Sequence, residues 1–365
     1  MKSLRVGIVG AGQLGRMLAL SGYPLGVQCL FLDRSADAPG AQVAPILVGD
    51  LTDPKRLEEL AARSDVVTFD WENIPGSALK PLERMTRVRP PRAALEASQD
   101  RVAEKALFSK LKIPVAAHAA IDGKEQLIKA AQRIGLPGVL KTRRLGYDGK
   151  GQYVLHDAAH IDAAWAAIGG TGLIYEKFQA FSREVSIVGA RSAAGRTVFY
   201  PLSANTHEGG ILRYGIAPLT NGKLERSARK YLERVMKALD YVGVLAIEFF
   251  VVKGRLIANE MAPRVHNSGH WSIEGCVTSQ FENHLRAICD MPLGSTRALG
   301  HTAMINFLGK MPDRSQLLAI DGLAFHDYGK QPRPGRKLGH CTILRKHAKD
   351  RDEALAAALN LIEWT

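Results

Sequence analysis

Two glutamates, Glu248 and Glu260, lie in apolar runs that are interrupted by Lys253-Gly254-Arg255. This pattern predicts a β-hairpin, and a three-residue loop at 253–255 would set Glu248 directly opposite Glu260. Two carboxylates on one rigid ribbon suit Mg²⁺, a hard cation that takes oxygen ligands and shares them with nucleotide phosphates. A basic and polar run follows at once, Met261-Ala-Pro-Arg264-Val-His266-Asn267-Ser268-Gly269-His270. This segment is where chemistry is expected.

A glycine-rich loop, Gly146-Tyr147-Asp148-Gly149-Lys150-Gly151-Gln152, lies just after Lys141. Its glycines would expose backbone amides to phosphate oxygens, and Lys141 would add a point charge. An ordinary glycine-rich turn is the competing reading. Three of the seven residues are glycines, a composition that suits a closing loop. Glu176-Lys177-Phe178-Gln179 ends a strand and could offer backbone groups to an adenine edge, with Glu184 left to hold ribose hydroxyls. His207, in Asn205-Thr-His-Glu-Gly-Gly, either faces the nucleotide or is a loop histidine. Trp165 and Trp271 read as core.

The elements that must carry these residues begin with Leu4 to Val9, an apolar strand, and Gly10-Ala-Gly12-Gln13-Leu14-Gly15, which turns into a helix. Val27 to Asp33 is a second strand ending in an acid, followed by a helix from Asp53 to Ala62 and a strand from Val66 to Asp70. The alternation predicts a parallel α/β domain of Rossmann type. Gly10-x-Gly12-x-x-Gly15 with Asp33 fits the dinucleotide fingerprint, which taken alone says NAD-dependent oxidoreductase. The same backbone approach would serve any phosphorylated ligand. A new helix starts around Ser98-Gln-Asp-Arg101, with capping signals. A mixed region follows, with strands at Val139 to Lys141, Tyr153 to Leu155, Leu173 to Glu176, Glu184 to Val188 and Thr197 to Tyr200. Helices are expected at Arg226 to Leu239 and Ser279 to Cys289, then short strands and turns from about Gly294.

Bulk properties narrow the classes. A chain of 365 residues predicts two or three domains. No apolar run is long enough to span a bilayer, and Met1-Lys-Ser-Leu-Arg-Val leads straight into a strand, so a cytoplasmic protein with no membrane partner is expected. Cys29, Cys276, Cys289 and Cys341 lack metal-ligand spacing and read as reduced, mostly buried thiols. The net charge of +13 and pI near 9.6 raise the question of nucleic acid. The basic residues are scattered, however, and clusters such as Lys141-Thr-Arg143-Arg144 and Arg333-Pro-Gly-Arg336-Lys337 better suit phosphates on a small molecule.

Taken together, these motifs resemble the ATP-grasp superfamily and, within it, the N5-carboxyaminoimidazole ribonucleotide synthase family. The resemblance runs nearly end to end and is most specific in Pro-Arg264-Val-His266-Asn267-Ser-Gly-His270. It implies a Rossmann-like pre-ATP-grasp domain over 1–98, an ATP-grasp domain of two lobes over 99–293 and a small β-rich C-terminal domain over 294–365. ATP contacts would fall on Arg101, Lys141, Gly146, Tyr147, Asp148, Gly149, Lys150, Gly151, Gln152, Glu176, Lys177, Phe178, Gln179, Glu184, His207, Asn259 and Glu260. Glu248 and Glu260 would hold Mg²⁺. Aminoimidazole ribonucleotide would meet Tyr147, Asp148, Lys150, Arg264, His266 and Asn267, with Arg336 and Lys337 near its phosphate and Gln13 and Glu72 contributing from the first domain. Catalysis would rest on Lys141, Asp148, Arg264 and His266, with Asp148 or His266 accepting the amine proton. Bicarbonate is the implied co-substrate and a homodimer the implied state. Two departures stand out: Lys150 replaces a frequent Arg, and Ala262 stands where many ATP-grasp enzymes have Asn. Sister ATP-grasp carboxylases and ligases share the nucleotide site but lack the Arg264–His270 string.

Overall fold

The computed structural model describes residues 4–146 and 151–364. Among them the chain forms three sheets. The first is parallel, in the order Ile46–Val48, Gln28–Asp33, Arg5–Val9, Val66–Phe69, Arg87–Val88. Val6, Ile8, Val9, Phe31, Val66 and Phe69 are fully buried, as expected of parallel strands covered on both faces. The order reverses beside Arg5–Val9, the Rossmann topology the alternation predicts.

The second sheet has four antiparallel strands, His118–Ile121, Leu173–Lys177, Gly138–Thr142 and Gln152–Leu155 in spatial order. The third runs Arg255–Ala262, Gly243–Val252, Arg183–Arg191, Ser203–Glu208, Ile211–Ala217, His301–Leu308, Lys337–Arg345, Leu323–Asp327, with Thr197–Phe199 pairing Arg183–Arg191 off this path. The late strands therefore extend the sheet that carries the glutamate hairpin. This continuity brings Lys337 into range of that hairpin.

The helix Arg101–Lys110 links the sheets. Asp100 caps it, its carboxylate accepting from the amides of Val102 and Ala103 at 2.9 and 3.3 Å. The helix expected from Arg226 starts earlier, at Gly222, because the Asn221 side chain accepts from Leu224 N at 3.1 Å and caps it there. One core cluster holds the first sheet against later parts of the chain, joining Met17 and Leu18 to Trp271, Phe281 and Leu285. Beneath it Thr68 Oγ1 meets His284 Nε2 at 2.9 Å. All four cysteines are free, and burial pushes the Cys29, Cys276 and Cys341 thiols up to about 12. No described helix is long and apolar enough to cross a membrane.

The segment around His207 corrects the loop reading. It forms a hairpin, Ser203–Glu208 with Ile211–Ala217, turned by Gly209 and Gly210 at φ of 59° and 81°. Two consecutive positive φ values are what a two-residue hairpin turn needs, and glycine adopts them freely.

Candidate active site

The hairpin of the two glutamates exists, but its turn differs from the expected one. Val252 pairs with Arg255, so the loop is the two residues Lys253 and Gly254, at φ of 49° and 72°. A two-residue turn alone would put Glu248 opposite Asn259. A bulge corrects the register: Phe249 pairs with Ala258, Glu248 pairs with Glu260, and Asn259 is the extra residue. The outer edge of this strand is pinned on either side of the bulge, by Ala258 N donating to Pro114 O at 2.7 Å and Met261 N to Glu104 Oε1 at 2.6 Å. Asn259 Oδ1 is buried without a hydrogen-bond partner.

Charged groups converge on the pair. Arg101 Nη1 lies 3.2 Å from Glu260 Oε2, and the Glu260 side chain keeps 40% exposure. Enclosure pushes the Glu260 carboxyl up, but Arg101 and Lys141 outweigh this and hold it below the usual range. Burial drives Glu248 the other way, up to about 7, reinforced by Glu260 and Glu184 and opposed by His207 and Lys337. His266 Nδ1 stands 3.8 Å from Glu248 Oε1. His207 hydrogen-bonds Glu184 Oε2 through Nδ1. Burial lowers the His207 pKa, yet the Glu184, Glu248 and Glu260 carboxylates raise it on balance.

Two carboxylates and an orphaned amide oxygen fit a hard cation. Among the described residues no group of three or more His, Cys, Asp or Glu is arranged to hold a metal.

On the four-stranded sheet, Lys141 Nζ pairs with Glu176 Oε2 at 3.0 Å, and the helix residue Lys105 meets Glu176 Oε1 at 3.3 Å. Sequence reasoning left Lys105 out of the site. The amides of Lys177 and Phe178 donate to Ala117 O and Pro137 O, and Lys177 O accepts from Gln179 Nε2. Gly146 O accepts from Arg101 Nη2 at 3.4 Å, Gly151 O from Thr142 N at 2.9 Å, and Gln152 pairs with Lys141. Tyr147, Asp148, Gly149 and Lys150 lie outside the described residues.

The segment after the hairpin is braced from several sides. Arg264 Nη2 reaches Glu72 Oε1 at 2.6 Å, joining the first sheet to the site. Gln280, fully buried, receives His266 N at 2.9 Å and donates to His266 O at 2.7 Å. Asn267 and the buried Asn306 exchange two side-chain amide bonds, at 3.0 and 2.8 Å. Neither Gln280 nor Asn306 was recognised from sequence. Lys337 lies close enough to lower the pKa of both Glu248 and His266 by its charge. Arg336 donates to Gln331 O at 3.0 Å. Gln13 Oε1 accepts from Lys330, another residue the sequence reading missed although it adjoins the Arg333–Lys337 cluster. Burial, Arg336 and Lys337 push the Lys330 ammonium down to about 8.

The first glycine loop does not bind a phosphate with the amides the fingerprint assigns. Asp70 Oδ2 accepts from Gly12 N at 2.7 Å and Gly15 N at 3.1 Å, and Asp33 Oδ2 from Ala11 N at 2.7 Å. A Cβ on Gly10 would fall 1.8 Å from Asp70 Oδ1, at a φ of +97°. The glycines cradle an internal carboxylate, and the dinucleotide reading loses its site. Gly10→Ala should cost about 3 kcal/mol or more, from the close contact together with a φ that side chains resist, as urea unfolding would measure.

Burial pushes the Asp70 carboxyl up to about 6, although the Gly15 and Gly12 amides and Arg264 oppose the rise. Its folded pKa thus exceeds the unfolded value near 3.9. The stability this lends is full below about pH 4 and lost as pH rises through about 6. In Asp70→Asn that loss should vanish, moving the stability of the variant relative to the parent by about 2 kcal/mol in its favour between pH 4 and 7. Thermal melts across that range check it.

A parallel α/β unit, two antiparallel sheets and paired glutamates on one of them mark an ATP-grasp protein. The family model of the ATP-grasp domain matches residues 106–281, that of the ribonucleotide synthetase preATP-grasp domain residues 1–99, and that of the phosphoribosylaminoimidazole carboxylase C-terminal domain residues 302–354. The N5-carboxyaminoimidazole ribonucleotide synthase of Pseudomonas aeruginosa is 47% identical over 340 residues, covering 93% of this chain and 94% of that one. The crystal structure of N5-carboxyaminoimidazole ribonucleotide synthetase from Thermus thermophilus superposes with a TM-score of 0.95 at 47% identity, covering 99% of both chains. That of the Aspergillus clavatus N5-carboxyaminoimidazole synthase, in complex with ADP and 5-aminoimidazole ribonucleotide, gives 0.92 at 28% identity over 98% of both. The chain belongs to the N5-carboxyaminoimidazole ribonucleotide synthase family.

Proposed function

We propose that this chain uses ATP to join bicarbonate to the amine of 5-aminoimidazole ribonucleotide, giving N5-carboxyaminoimidazole ribonucleotide, ADP and phosphate in purine biosynthesis. The observation that carries the reading is the register that sets Glu248 opposite Glu260, with the Arg264–His266 segment following from the same strand. Glu248 and Glu260 would hold Mg²⁺. Bound there, the ion supplies charge neutralisation to phosphate oxygens.

The residues divide the work by position. Lys141 and Arg264 neutralise charge on the transferred phosphoryl group as bicarbonate attacks it to form carboxyphosphate. His266 and Asn267, locked by Gln280 and Asn306, orient the ribonucleotide amine for attack on the CO₂ released from that intermediate. Lys330, Arg336, Lys337 and Gln13 supply the phosphate end of the ribonucleotide. Asp148, Tyr147 and Lys150 would act on the ribonucleotide, with Asp148 a candidate to accept the amine proton. Water must be excluded, because carboxyphosphate hydrolyses readily. We place the reaction in the cytoplasm and in a homodimer, which sedimentation of the purified protein tests.

ADP release measured with and without aminoimidazole ribonucleotide and bicarbonate tests the function. Release that requires Mg-ATP and yields carboxylated product supports it, whereas release indifferent to both co-substrates sinks it.

A further inference from the structure

Lys105 is 1% exposed and Glu176 is 4% exposed. The two come from different parts of the cleft. Lys105 belongs to the helix Arg101–Lys110, which braces the glutamate hairpin, and its Nζ also donates to Asn259 O at 3.4 Å. Glu176 belongs to the four-stranded sheet, as does Lys141. The charges around them are unevenly matched. Arg101 has Glu260 as its partner at 3.2 Å. Glu104, next to Lys105 on the helix, spends Oε1 on the Met261 amide at 2.6 Å. Lys105 and Lys141 share one carboxylate, Glu176: Lys141 hydrogen-bonds Oε2 at 3.0 Å, and Lys105 lies within ion-pair distance of Oε1, at 3.3 Å, without a hydrogen bond to it.

Two ammonium groups on one buried carboxylate make a cluster that can take a further anion. A phosphate oxygen would complete it, and Lys141 is the less enclosed of the two lysines, with 12% of its side chain exposed against 1% for Lys105. Turning Lys141 to a phosphate has a cost, because a buried carboxylate stripped of its partner is strongly unfavourable. The cost is small only if a second cation stays on Glu176.

We propose that Lys105 is a positioning residue for the nucleotide: by holding the Glu176 carboxylate it lets Lys141 move from Glu176 to a phosphate of ATP. This rests on the ATP-dependent reading above. Without Lys105, Glu176 keeps Lys141 for itself and the phosphate loses its cation.

The test is a double-mutant cycle on the full chain. Lys105→Met should raise the KM for ATP on the order of 10²-fold, the scale of a buried ion pair held back from its second partner, with the KM for aminoimidazole ribonucleotide unchanged. Lys105→Arg, which keeps the charge, should recover most of this. Lys105→Met combined with Glu176→Gln removes one charge of each sign and is balanced, so it should fold even where the single variant does not. Its KM for ATP should fall about 10-fold from that of Lys105→Met alone, because a neutral amide has no hold on Lys141. A merely structural role for Lys105 would leave the two effects additive. An unchanged KM in a folded Lys105→Met, or a folded double variant whose KM is no lower than that of Lys105→Met, overturns the proposal. Absence of ATP binding by the unmodified protein would instead overturn the reading on which it rests.

Discussion

The Glu260→Gln variant should release ADP at least ~10³-fold more slowly than the parent protein at saturating Mg-ATP, a barrier increase of about 4 kcal/mol. The substitution keeps the shape of the side chain and removes one of the two opposed charges. Glu260 is the better-ionised member of the pair, held below the usual carboxylate range by Arg101 and Lys141 against the effect of its enclosure. It is therefore the group that can greet a cation without first giving up a proton. Glu248→Gln should act in the same direction. Because Arg101 loses its partner, some fall in stability will accompany the loss of activity, so thermal melts must show that the variant remains folded at the assay temperature. A folded Glu260→Gln that turns over within tenfold of the parent would remove the metal-binding role of the pair.

That pair was legible in the sequence, though not for the reason first given. Alternating apolar residues around Lys253-Gly254-Arg255 announce a hairpin, and facing glutamates follow from a three-residue loop. The chain instead combines a tighter turn with a bulge at Asn259, and the two differences cancel. Turn chemistry is local, and Lys253-Gly254 could have been weighed as a two-residue turn. The bulge is not local. It lies where the strand edge is held by Pro114 and Glu104, more than a hundred residues earlier in the chain.

The same division explains the other misses. Gly10, Gly12 and Gly15 predict a tight turn into a helix, and that turn is present. What fills it is Asp70, just past the end of the neighbouring strand Val66–Phe69, and no spacing rule around the glycines points there. Gln280 and Asn306 are polar residues on otherwise buried elements, and they gain meaning only through His266 and Asn267. His207 is different, because Gly209-Gly210 is itself a hairpin signal, and it should have moved that histidine from a loop to a strand. Periodicity and turn residues thus reveal the elements, while the side chains that set charge and orientation come from elements far apart in sequence.

His266→Asn should separate nucleotide chemistry from carboxylation. In the folded protein His266 Nδ1 accepts from Ser268 N at 3.3 Å and lies 2.8 Å from Ser268 Oγ. This network assigns the ring proton to Nε2. Burial, with Arg264 and Lys337 adding to it, pushes the ring pKa well below its usual value, so the ring is neutral. A neutral ring with Nδ1 occupied presents Nε2–H as a hydrogen-bond donor. Of the two candidates for accepting the amine proton, this favours Asp148. Asparagine is a good cap and can take over the bond from Ser268 N, so the backbone path through Asn267 to His270 should survive while the Nε2–H donor is lost. Mg-ATP affinity should stay within about 3-fold of the parent, and carboxylated product formed per ADP released should fall on the order of 10²-fold. Product and ADP measured in the same reaction decide it. Unchanged coupling would reduce His266 to a structural cap, and a matching loss of ATP binding would place it on the nucleotide instead.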